Sequence, residues 1–165
     1  MSLQELLHKS TSRVMTTDGV EASPGVELAR HWNGDRCSFL LVNNTGTAQP
    51  IHEIVLFDIS HDLPSESRLH GEGYNKISQT AGTLARPEDV DPVTDREHYK
   101  LPEPAGFRTV YGMMSVTVPD RHTWVLGFSS CRRFVGRFNI NSERLQVVLI
   151  DLCIYKEAFH RVSPA

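Results

Sequence analysis

Phe107-Arg108-Thr109-Val110-Tyr111-Gly112-Met113-Met114-Ser115-Val116-Thr117-Val118 opens the stretch that decides the fold. It is rich in β-branched and aromatic residues and stops at Pro119-Asp120-Arg121, a turn-forming triplet. Three similar runs follow: His122 to Cys131, Phe134 to Ile140 and Arg144 to Ile154, with Asn141-Ser142-Glu143 turning between the last two. Strands joined so closely are antiparallel neighbours, because a parallel pair needs a long crossover. Upstream, Val26 to Trp32 and Arg36 to Asn43 flank Asn33-Gly34-Asp35 and predict a hairpin. Asn43-Asn44-Thr45-Gly46 then turns the chain into Ile51 to Ile59. That run is apolar on both faces, with Ile51, Val55 and Phe57 on one and Ile54 and Leu56 on the other, as for a strand between two layers. About eight strands with few convincing helices predict an all-β sandwich or barrel.

The remaining segments frame this sheet. Leu3, Leu6, Leu7 and Val14 make one weak apolar face, and Thr16 to Gly25 is small, polar and turn-forming. Residues 1–25 are therefore expected to be a leader, a short helix or disordered, ahead of one β-domain over 26–165. Pro87, Pro92, Pro102 and Pro104 exclude a central strand or a long helix between Ala85 and Gly106, which is expected to wander across the surface.

Composition narrows the function. The chain has 165 residues, 39% of them hydrophobic, enough for one packed domain. A net charge of −3 argues against a nucleic-acid partner. Arg132, Arg133 and Arg137 lie among Phe128, Phe134 and Phe138 and are expected as the charged face of a strand. Cys37, Cys131 and Cys153 are too widely spaced for a disulfide staple or a CxxC metal site, and sit in apolar runs as small buried hydrophobes. With no signal-peptide pattern and no bilayer-length apolar run, the expectation is a soluble cytoplasmic protein without a membrane partner.

No hydrolase elbow, phosphate loop, dinucleotide fingerprint or HExxH is present. The eight histidines are dispersed, and Pro64 interrupts the one approximate grouping of His52, His61 and His70. No metal and no cofactor are expected. Glu53, Asp58, Glu72 and Asp151 are available carboxylates, but spacing selects no catalytic pair.

The chemically richest stretch is Ser67 to Leu84. Gly71, Gly73 and Gly82 suit turns or close approaches, and His70, Glu72, Tyr74, Asn75 and Gln79 can donate, accept or stack. No helical or alternating apolar period runs through it, so it is expected as a presented loop, or else as a long irregular surface connection. Trp32, Tyr74, Tyr111 and Trp124 could stack on a pyranose; the tryptophans lie in strand patterns and suit the core, leaving Tyr74 as the preferred exposed ring.

His70-Gly71-Glu72-Gly73-Tyr74-Asn75-Lys76-Ile77-Ser78-Gln79-Thr80, followed by Gly127-Phe128-Ser129-Ser130-Cys131-Arg132-Arg133-Phe134, resembles the amino-terminal domain of α-galactosidase-type glycoside hydrolases, the melibiase group. The resemblance spans most of Val26 to Tyr155. It implies an antiparallel β-supersandwich that packs on a (β/α)8 barrel and shapes one wall of an α-galactoside site. It also implies that both catalytic aspartates belong to the barrel, for which this chain has too few residues. Homo-oligomerisation is expected from the apolar face such a barrel would cover. Many relatives carry tryptophan just before the motif serine, where this chain has Ile77, so Tyr74 or His70 would have to take over any stacking. A free-standing carbohydrate-binding β-sandwich and, further off, a cupin-like metal-dependent enzyme are the alternatives.

Overall fold

The computed structural model describes residues 2–76, 78–101, 103–130 and 134–150, with the backbone alone for 95, 96, 161 and 162. The strands are β1 (Thr11–Thr16), β2 (Val26–Asn33), β3 (Arg36–Asn43), β4 (Gln49–Ser60), β5 (Arg68–Glu72), β6 (Gln79–Gly82), β7 (Pro87–Asp89), β8 (Arg108–Thr117), β9 (Thr123–Gly127), β10 (Val135–Ile140), β11 (Arg144–Ile150) and β12 (Arg161–Val162). Two short helices, α1 (Leu3–Lys9) and α2 (Asp95–Tyr99), accompany them. The fold is all-β, antiparallel and sandwich-like, as the sequence predicts.

One large sheet runs β1-β4-β11-β10-β8-β5-β6-β7, with β12 added to β4 and β9 to β8. Every pairing in it is antiparallel. The apolar runs of the last third supply its centre. β4, read as buried on both sides, has Ile54, Val55, Leu56 and Phe57 all buried. β8 turns a corner at Gly112, whose φ is +69°. Before it, Arg108 to Tyr111 pair with β10; beyond it, Met113 to Thr117 pair with β9.

The first face of this sheet holds the main core. Ile54, Phe57, Phe138, Leu145, Val147 and Val110 form it, covered by α1 and by the separate hairpin β2–β3. Trp32 of the hairpin packs on Phe57 and stacks on His8 of α1, while Trp124 is buried in the same core. Both tryptophans thus take the packing roles expected of them. Capping holds α1 in place: the Ser2 hydroxyl accepts from the Glu5 amide and the Glu5 carboxylate accepts from the Ser2 amide.

Two expectations change, and the expected hairpin is refined. The stretch read as a leader contains β1, an edge strand paired with β4 from Thr11 to Thr16, so β-structure begins well before Val26. The hairpin turns on Gly34-Asp35, with φ of +58° at Gly34, so glycine leads the two-residue loop and Asn33 ends the strand. The proline-rich connection is not featureless: β7 adds an edge strand to β6, and α2 follows Thr94, whose hydroxyl accepts from the Glu97 amide. Among the described residues, no helix is long and apolar enough to cross a membrane. Cys37 is a half-buried thiol that burial pushes above its ordinary range; Cys131, Cys153, Arg132 and Arg133 lie outside the described residues.

Candidate functional site

Strand pairing decides where the candidates point. His70-Gly71-Glu72 is the end of β5 and Gln79-Thr80 begins β6, so the stretch expected as a loop is a β-hairpin with its tip at 73–78. The Gly73 amide donates to the Ser78 carbonyl at 2.8 Å and the Lys76 amide to the Gly73 carbonyl at 3.2 Å. Gly71 is required by closeness: a Cβ there would lie 2.5 Å from a Val110 side-chain atom. Ile77 lies outside the described residues.

Direct cross-strand partners share a face, and here they make one row across the sheet. It reads Gln79, Glu72, Tyr111, Arg137, Val148, Val55 and Arg13. His70, two residues before Glu72, is exposed on the same face, whereas Leu69 and Gly71 are buried. The hairpin therefore delivers His70, Glu72 and Gln79 to the second face of the sheet.

Tyr74 and Asn75 reach that face from the tip, with a changed role for Tyr74. Its ring is half-buried and meets Tyr99 and Tyr111 edge-on, both at 5.7 Å between centroids. It joins a small second core of Val55, Leu101, Tyr111, Val148 and Ile150. The freely exposed ring expected at Tyr74 is thus partly spent on packing. Asn75 is exposed, and its Nδ2 donates to the Tyr99 hydroxyl at 2.8 Å. Gln79 is exposed while its backbone amide donates to Asp91 at 2.9 Å. The Glu72 carboxylate lies 3.8 Å from the Lys76 ammonium.

Around these residues the second face is polar beyond what the sequence announces. Arg137, buried, forms an ion pair with Glu53. Next to it a chain of hydrogen bonds crosses the strands: Thr109 donates to Asn139 at 2.9 Å, Asn139 to Gln146 at 3.3 Å and Gln146 to Asp58 at 3.0 Å. Arg144 and Arg13 close it on Asp58. Burial pushes the Asp58 carboxyl up, but the hydrogen bonds from Arg144, Gln146 and Arg13 outweigh it and hold the group below its ordinary value. Tyr111 is buried beside Arg137, and burial pushes its phenol up to about 12 despite that nearby guanidinium.

Chemically, the rim sets the Tyr74, Tyr99 and His98 rings edge-on to one another, with the Asn75 amide on the Tyr99 hydroxyl. Glu53 and Glu72 each face a cation, Arg137 and Lys76 respectively. Among the described residues no three His, Cys, Asp or Glu side chains are grouped to hold a metal ion. A shallow depression of about 110 Å³ lies elsewhere, between β1 and β2, and none of the candidates lines it. Sequence reasoning overlooked Tyr99. Its signal was present: Thr94 followed by Glu97 is a helix-start pattern, and the short helix it begins carries Tyr99 to Tyr74. Comparison with protein-family models, with curated proteins and with solved structures finds no match for this chain.

Proposed function

We propose that the chain is a non-catalytic β-domain of an α-galactosidase-like glycoside hydrolase, presenting one wall of an α-galactoside site. The observation that carries this reading is the convergence of His70, Glu72 and Gln79 on one sheet face, with Asn75 and the Tyr74–Tyr99 pair at its rim. The motif resemblance supports the family, and the cation-paired carboxylates support a wall rather than a catalytic centre. In this reading the two catalytic aspartates sit on a (β/α)8 barrel that packs against the domain, and the protein works in the cytoplasm.

Two measurements on the purified chain test it. Aryl α-galactosides should not be hydrolysed. In a 15N-detected titration with methyl α-galactoside, weak shifts in the millimolar range should centre on Tyr74, Asn75 and Gln79. Turnover that disappears on substituting a residue of this chain, or shifts confined to other surfaces, would overturn the proposal. Saturation at micromolar sugar would instead mark a free-standing carbohydrate-binding sandwich.

A further inference from the structure

Asp18-Gly19 and Asn33-Gly34 are dipeptides in which a backbone amide can attack the side chain before it, because glycine puts no Cβ in the way. The fold treats them differently. At the first, the Gly19 amide donates to the Thr16 carbonyl at 3.0 Å and the Thr16 hydroxyl donates to the Asp18 carboxylate, so both reacting groups are held. At the β2–β3 turn neither is held. Asn33 is exposed at the end of β2, and its side chain has no hydrogen-bond partner among the described residues. Gly34 leads the two-residue loop at φ +58° and its carbonyl accepts from the Gln4 side chain at 3.2 Å, but its amide has no acceptor among the described residues. A Cβ placed on Gly34 would meet nothing within 4 Å.

We propose that Asn33 is a self-modification site, converting in the folded protein to aspartate and isoaspartate through a cyclic imide. After losing its proton to base, the Gly34 amide nitrogen attacks Asn33 Cγ. The N–Cγ bond forms, the Cγ–Nδ2 bond breaks, and Nδ2 leaves as ammonia with a proton supplied by solvent. Water then opens the imide. Cleavage at Cγ restores the main chain as aspartate, whereas cleavage at the Asn33 carbonyl carbon routes it through Cβ as isoaspartate. The sum consumes one water and releases one ammonia, and nothing is oxidised or reduced. Either product adds a negative charge beside Asp35, and isoaspartate also adds a main-chain carbon next to a two-residue loop. The other asparagines are held. The amides that follow Asn43, Asn44 and Asn75 donate to Gly25, to the Asn43 side chain and to Gly73 in turn. The buried Asn139 side chain bonds Thr109 and Gln146, and that of Asn141 accepts from the Glu143 and Arg144 amides. The site stands whether or not the galactoside reading survives.

The test is ageing of the full chain at mildly alkaline pH, folded and unfolded in urea. Peptide mass mapping locates the products, and methyl transfer by an isoaspartyl methyltransferase counts the isoaspartate. Position 33 should react at a similar rate in both states. Folding should slow position 18 and the other asparagines by roughly tenfold or more, because their groups must first leave their hydrogen bonds. Asn33→Gln, whose ring closure needs one more atom, should remove the fast methyl uptake. Protection of Asn33 by folding as strong as that of Asp18 would overturn the proposal. So would a product that is aspartate alone, the mark of direct hydrolysis, or methyl uptake indifferent to Asn33→Gln. Should Asn33→Gln fail to fold, the ratio of folded to unfolded rates in the native chain decides without it.

Discussion

On one face of the large sheet Phe138, Leu145, Val147 and Ile54 meet a hairpin and a helix through apolar contact; on the other, at neighbouring positions of the same strands, stand Arg137, Asn139, Gln146 and Asp58. Alternation along three strands, β4, β10 and β11, separates the two sets. The first face gains from burial and tight packing, with no partner geometry to satisfy. The second buries polar side chains that depend on hydrogen-bond and ion-pair partners, because an unmet polar group there is costly. What the difference teaches is a division of labour: the first face specifies that the chain folds, and the second specifies how strands align and where a polar ligand would find partners.

The sharpest test of that division is Phe138→Ala on the first face, where the ring is 1% exposed. It should cost about 3–5 kcal/mol, as aromatic truncations in cores do, and chemical denaturation will read the loss. On the second face Arg137→Met leaves Glu53 without its partner and should cost about 2–4 kcal/mol, less than a fully buried pair because Glu53 keeps some solvent. Joining it with Glu53→Met should recover most of the loss; a double variant as unstable as the single would mean that Arg137 acts through packing instead. Tyr74→Ala should cost about 1.5–2.5 kcal/mol, since only part of the ring is buried. Melting unchanged to within about 0.5 kcal/mol would return Tyr74 to the surface.

Acid separates the faces by pH. Burial pushes the His61 imidazole, edge-on to Trp124, below its ordinary 6.5, so the unfolded chain takes up this proton first. Stability should therefore start to fall as pH drops through about 6.5. Asp58, held below its ordinary 3.8, adds a second loss only below that value, as its folded-state carboxylate is protonated. Asp58→Asn should shrink the lower leg of a stability–pH curve, to which Glu5 and Asp18 also contribute, and leave the upper one. The smallest effect belongs to Glu72→Gln, expected within about 0.5 kcal/mol in thermal melts because the cation it faces, Lys76, is exposed.

Much of this arrangement was legible in sequence, for a physical reason. Strands such as Arg108–Thr117 and Arg144–Ile150 are apolar, β-branched and bounded by turn chemistry, so local signals agree with the fold. Thr11–Thr16 carries only Val14 and Met15 as large apolar residues, and becomes a strand because β4 offers it an edge. β5 was hidden differently: contact with Val110 demands glycine at position 71, which erases the alternation a reader would look for. The candidate residues are polar and clustered in sequence, but their common face follows from pairing with β8, some forty residues on. The half-burial of Tyr74 was not legible because its partners Tyr99 and Tyr111 come from two other segments.

The strand order also sets a schedule for synthesis. β4 leaves the ribosome early and finds β1 on one edge, but its other neighbour is β11, and Gln146 meets Asp58 across 88 residues of chain. At about 5–20 residues per second, that leaves the edge unpaired for roughly 4–18 s. For that interval Ile54, Val55, Leu56 and Phe57, later buried on both sides, have no central sheet to enter. Burial of the β4 core residues therefore waits on the arrival of the last third of the chain.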